Sequence, residues 1–203
     1  VKTQGNVTYR AVLKDPAGGP DEVVWSKDST VTRNSAPALA TGPDDTNILP
    51  QLKNFVPKQT DAGELIVKIT RKDNDTEVAK YDGVHDLYVT YEYVKRTKDV
   101  TIKAVDQLTG KEITVPAEAA TKNPTTGESH VIQAPDLSSL EYAVVGQKSQ
   151  TFFVDAGEAN PTVTFYYVSS QKAEVSVTLY YTTTSGGDIV ENTIQVLRSE
   201  VEW

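Results

Sequence analysis

Apolar and polar side chains alternate along most of this chain. In Asp99–Asp106, Val100, Ile102 and Ala104 point one way while Thr101, Lys103 and Val105 point the other. That two-residue period marks a half-buried strand. The same pattern predicts a strand over residues 5–14, with Val7, Tyr9, Ala11 and Leu13 on one side. It predicts another at Glu22–Trp25, which Ser29–Arg33 extends or pairs with. Gly63–Arg71 follows with Leu65, Val67 and Ile69 inward, then a return over Thr76–Lys80 and a strand over Leu87–Val94. Further strands are expected at Glu112–Val115, ended by Pro116, at Ser129–Gln133, and at Val163–Val168 behind Pro161; proline is tolerated at a strand's first residue. Ala173–Tyr181 and a long return from Ile189 read as a final hairpin.

Helical periodicity is scarce. Apolar positions 48, 49, 52, 55 and 56 allow one short helical segment between Asn47 and Pro57, confined by Pro50 to its first turn. It is expected to be the crossover of the first module. Turns are predicted at Asp15–Asp21, at Gln107–Lys111 with Gly110 free to take a positive φ, at Lys72–Asp75 and at Ser185–Asp188. Residues 34–46 have no period and read as a loop.

These elements predict a mostly β fold (β-rich α+β). Residues 1–96 form one β-rich module, residues 98–170 a second, and residues 171–203 a β-hairpin that packs on the second module or begins a further repeat. The modules are expected to be tandem and elongated, β-grasp-like or sandwich-like. Each ends in an apolar-Thr-aromatic strand, Val89-Thr90-Tyr91 and Val163-Thr164-Phe165. Almost no linker separates them, which favours a stiff rod. Trp25, beside β-branched residues, is expected in the first core.

The 203 residues suit two small β domains, and Thr, Val and Tyr (10 tyrosines) bias the chain toward strands. The formal net charge of −8 argues against a nucleic-acid partner, which would meet a basic face. It also repels sialylated or sulfated glycans at long range. No cysteine is present, so a thiolate zinc cage, a catalytic thiol and a disulfide are excluded. No apolar run reaches the ~18 residues of a membrane helix, so no membrane insertion is expected.

Candidate chemistry is sparse. The only histidines, His85 and His130, fall in different modules; Asp82 and Asp86 flank His85 and are expected to orient its ring. No nucleophile elbow, phosphate loop or dinucleotide fingerprint occurs, and an acidic chain yields paired carboxylates by chance, so no enzyme is expected. Two acidic stretches, Gly42–Asn47 and Lys72–Glu77, are weighed as Ca²⁺ loops, with Asp73 and Asp75 as candidate ligands. The second lacks the glycine and distant glutamate of an EF-hand, and a hairpin turn explains it better. No other cofactor is expected. Tyr88, Tyr142, Tyr166, Tyr180 and Tyr181 are candidate sugar platforms, against the plainer reading of cross-strand packing.

The stretch from Lys98 to Val168, about a third of the chain, resembles the mucin-binding (MucBP-type) repeat of Gram-positive surface adhesins. The resemblance is carried by Val100–Asp106 with its Gly110 turn, by Thr126–Pro135, by Leu140–Gly146 and by Val163–Tyr167. One position departs: the family usually has Gly before the tyrosine of its central motif, where Leu140-Glu141 precede Tyr142. The resemblance implies a non-catalytic, extracellular, cell-wall-anchored adhesin segment whose anchor lies outside this stretch. It also implies host mucin glycans or glycoproteins as partners, engaged by a monomeric piece of a multi-repeat chain. The competing expectation is a structural stalk with no ligand of its own.

Overall fold

A parallel pair of strands forms the centre of each of two units. The computed structural model describes the backbone of residues 1–183 and 186–197 and the side chains through residue 171. One unit comprises residues 1–97 with 125–127, the other residues 98–124 with 128–203. Both are mostly β, as the alternation predicts.

The first unit holds β1 (Gln4–Leu13), β2 (Glu22–Thr32), β3 (Phe55–Pro57), β4 (Val67–Arg71) and β5 (Leu87–Lys95). Its sheet order is β2-β1-β5-β3, with β4 also on β5. β1 and β5, first and last in sequence, run parallel, with Val7 opposite Leu87, Tyr9 opposite Val89 and Ala11 opposite Tyr91. β3 and β4 share β5's other edge end to end. The result is one mixed sheet, a parallel centre flanked by antiparallel strands. Ser29–Arg33 continues the strand begun at Glu22 as far as Thr32, and the pairing with β1 slips between Ala11 and Val12. Trp25 is half-buried against the core.

The helical segment expected near Asn47 shrinks to one turn. The Ile48 and Leu49 amides donate to the Asp45 carbonyl, and the chain then extends into β3. Pro50 has no N–H with which to continue. The return over Thr76–Lys80 is likewise reduced to a bridge between Thr70 and Glu77.

The start of β1 is sealed by a ring. Tyr81 is fully buried, and a Cβ built on Gly5 would stand 2.2 Å from its Cζ. Glycine is required there by close approach, not by φ. Residues 125–127, read from sequence as part of the second module, belong to the first unit. The Thr126 amide donates to the Arg96 carbonyl, the Arg96 amide donates to the Asn54 carbonyl, and the Thr126 hydroxyl donates to Asn54 Oδ1 at 3.0 Å. Gly127, at φ +80°, leaves room for Asn54.

The second unit repeats the plan. β6 (Val100–Asp106) and β12 (Thr162–Ser169) are parallel, with Ile102 opposite Val163, Ala104 opposite Phe165 and Asp106 opposite Tyr167. β7 (Glu112–Ile113) and β8 (Thr121–Lys122) flank β6, and β10 (Tyr142–Val145) flanks β12. β7 is shorter than the strand expected over Glu112–Val115, and a four-residue helix, Ala117–Ala120, follows Pro116. A two-stranded ribbon of β9 (Ser129–Gln133) and β11 (Ser149–Phe153) adds Ile132 and Phe152 to the core. Gly110 takes φ +68° in the turn after β6, as expected.

β13 (Lys172–Thr183) and β14 (Gly186–Leu197) form the final hairpin. Gly186 and Gly187 stand in the strand opposite Thr183 and Thr182, not in the turn predicted for 185–188. Among the described residues no helix is long and apolar enough to cross a membrane.

Candidate functional site

The strand pleat decides which of the candidate tyrosines a ligand can reach. On β12, Val163, Phe165 and Tyr167 face the core, so Thr164, Tyr166 and Val168 face outward. Tyr166 is 51% exposed. Its neighbours across the two ladders are Val105 on β6 and Val145 on β10, whose side chains share its outward face. Tyr142 pairs with Ser169, in phase with the inward Tyr167, and packs against the core. Tyr142 and Tyr166 therefore lie on opposite faces of one sheet.

Tyr88, on β5 of the first unit, has one face already covered. The Arg10 guanidinium carbon sits 3.9 Å from its ring centroid, and Lys72 Nζ stands 5.2 Å from it. Arg10 is held there by donating from Nε to the Thr90 hydroxyl at 2.7 Å. The side chains of Tyr180 and Tyr181 lie outside the described residues. Of the five tyrosines read from sequence, Tyr166 is thus the one whose described surroundings leave its ring to solvent.

Tyr166 borders a cleft of about 210 Å³ in the second unit. Gln107, Gln147 and Gln150 line it, together with Val145, Gly146, Thr164 and Phe165. Gln150 reaches over from β11 and donates from Nε2 to the Thr164 carbonyl at 2.7 Å. Gly146, at φ +73°, makes the turn between β10 and β11 and would meet nothing with a Cβ. Sequence reasoning missed the glutamines, because residues from three separate turns and strands gave no local signal. A flat face beside convergent amide donors and acceptors suits a polyhydroxylated ring.

A second cluster lies in the first unit. Asp82 Oδ1 accepts from the Val84 and His85 amides, and its Oδ2 lies 2.6 Å from His85 Nδ1 and 3.1 Å from Arg71 Nη2. Backbone donation from His85, followed by its ring contact and the Val84 amide, holds the Asp82 carboxyl well below the usual range. Asp73 Oδ2 approaches the other ring nitrogen at 3.6 Å. Asp86, expected to flank the ring, instead accepts the Asn6 amide. Asp73 belongs to the hairpin turn after β4, and Asp75 in that turn takes φ +55°. Among the described residues no three potential ligands of the His, Cys, Asp and Glu type gather as a metal would require. Asp45 also spends its carboxylate locally, accepting the Thr41 and Asn47 amides.

A larger cleft, about 650 Å³, opens in the first unit past the end of β1, bordered by Leu13, Pro16, Pro20 and Val94. Its charged rim is partly committed, Lys14 to Asp21 at 2.7 Å and Lys58 to Glu92 at 3.5 Å. No family model matches this chain, and no curated protein matches it.

Proposed function

We propose that the chain is a non-catalytic segment of an extracellular bacterial surface adhesin that binds mucin or host glycoprotein glycans. The observation that carries this reading is the solvent-facing Tyr166 ring beside the amides of Gln107, Gln147 and Gln150 in a shallow cleft. Aromatic face plus amides is the equipment of weak sugar recognition, and no nucleophile–base pair borders this cleft. The likeness of residues 98–168 to mucin-binding repeats points the same way. Weak single contacts become useful when many modules share one chain, through effective concentration.

A stalk reading has its own support. Tyr88 lies under Arg10 and Tyr142 packs inward, so two candidate platforms serve structure. Binding of the chain to immobilised mucin, against an unrelated β protein of similar charge, separates the two. Adhesin function requires retention above that control and its loss in Tyr166→Ala. Retention no better than the control leaves a spacer.

A further inference from the structure

We infer that the Tyr166 cleft takes a single uncharged pyranose ring and turns away sialylated or sulfated sugars. This rests on the glycan-binding reading above and deepens it.

Three observations support the assignment. The first is size. At about 210 Å³ the cleft falls below the ~300–1,000 Å³ of sites for drug-sized ligands, which leaves room for one sugar ring and little more. The second is charge. Gln107, Gln147, Gln150, Thr164 and Tyr166 supply its polar groups, and no Lys, Arg or His borders it. The nearest cation on that face, Lys103 opposite Thr164, is paired with Glu112 at 3.4 Å, so a carboxylate or sulfate desolvated in the cleft would have to compete for it. The net charge of −8 adds repulsion at a distance. The third is orientation. Gln150 donates to the Thr164 carbonyl, which fixes its amide plane and leaves Oε1 as an acceptor for a sugar hydroxyl. Tyr166, half-exposed between the strands of Val105 and Val145, offers a ring face for the apolar C–H patch of a pyranose.

Each group has a role in binding. Tyr166 is the platform, Gln150 the oriented acceptor, and Gln147 the adjustable amide on the rim. Gly146 keeps that rim low, since any side chain at its positive φ is strained.

The test is an amide-resonance titration of the full chain with methyl β-galactoside, N-acetylgalactosamine and N-acetylneuraminic acid. The neutral sugars are expected to shift Gly146, Gln147 and Tyr166 saturably, with Kd on the order of millimolar for one ring. The acid is expected to shift none of them at equal concentration. Tyr166→Ala should weaken the neutral sugars at least tenfold, while Tyr166→Phe should retain them. Shifts that are equal or larger with the acid, or that survive Tyr166→Ala, overturn the inference. Mucin pretreated with sialidase separates this from the broader reading. Retained binding supports the neutral-sugar cleft. Binding lost on desialylation overturns the cleft's selectivity and leaves the adhesin intact. Saturable sugar shifts with no mucin binding, before or after treatment, keep the cleft and remove the adhesin.

Discussion

The two units solve the same packing problem with different chemistry. Each sets an alanine of its first strand opposite a large aromatic of its last, Ala11 with Tyr91 and Ala104 with Phe165. The small residue makes room for the ring beside it. One step along, Leu13 faces Tyr93 in the first unit and Asp106 faces Tyr167 in the second. The start of the first strand differs most. In the first unit Tyr81 packs on Gly5. Two residues before Val100, at the equivalent place, Lys98 Nζ donates to the carbonyls of Asp155 and Glu158. The lesson is that the sheet plan fixes where closure is needed and leaves open whether a ring or an ammonium provides it.

The largest effects should come from the shared core position. Phe165 is 1% exposed, and Phe165→Ala should cost about 3–5 kcal/mol through lost burial and a cavity. Amide exchange in β6 and β12 reads it; a loss below about 1 kcal/mol would mean the centre is loosely packed. At the closures, Gly5→Ala should cost about 1–3 kcal/mol, since the Tyr81 ring must move and has nowhere to go. A denaturation midpoint unchanged by Gly5→Ala would show the ring can shift freely and would dissolve the contrast with Lys98.

A finer contrast concerns two buried phenols. Tyr167 donates its hydroxyl to the Pro135 carbonyl at 2.7 Å. The Tyr93 hydroxyl has no partner among the described residues, and burial, with Tyr91 nearby, pushes its pKa up to about 12. Tyr167→Phe strands a carbonyl and should cost about 1–2 kcal/mol. Tyr93→Phe removes only an unmet donor and should be neutral or stabilising. Equal costs in urea titrations of both variants would erase the distinction.

Much of the sheet was legible because period-2 patterning is local. Residues 7, 9, 11 and 89, 91, 93 announce their buried faces. What was not legible depends on distant partners. Nothing around Tyr88 says that Arg10, far off in sequence, will lie on it, and nothing around Tyr166 says that Gln150 will reach it. The short helix after Pro116 was missed because four residues carry no period. Thr125–Gly127 carried no sign that Asn54 and Arg96 would hold them. The unusual Glu141 is instructive. It takes φ +59° and ψ +39°, a conformation glycine adopts without strain and other residues rarely do. Glu141→Gly should therefore fall within about 0.5 kcal/mol of neutral, whereas Glu141→Ile should cost about 1 kcal/mol or more. A destabilising glycine variant would show instead that the Glu141 side chain's contact with Gln171 holds the turn.

The smallest expected effect separates the units by pH. In the first, Asp82 is lowered mainly by backbone donation from His85; in the second, Asp136 is lowered by one residue, through the Ser138 amide and then its hydroxyl. A carboxyl whose folded pKa lies below its unfolded value, 3.8, contributes stability that is fully present above that value. That contribution drains as pH falls through the folded pKa. Asp82 has more donors than Asp136, so the first unit should lose more on acidification. The Tm advantage of the natural chain over Asp82→Asn should be constant from pH 7 to about 5 and shrink steadily below about pH 4. The corresponding gap for Asp136→Asn should be smaller at every pH. Asp82 is partly exposed, so added salt should narrow its gap as well. A gap that stays constant down to pH 2 would mean that Asp82 acts through the shape of its turn, which asparagine copies, and not through its charge.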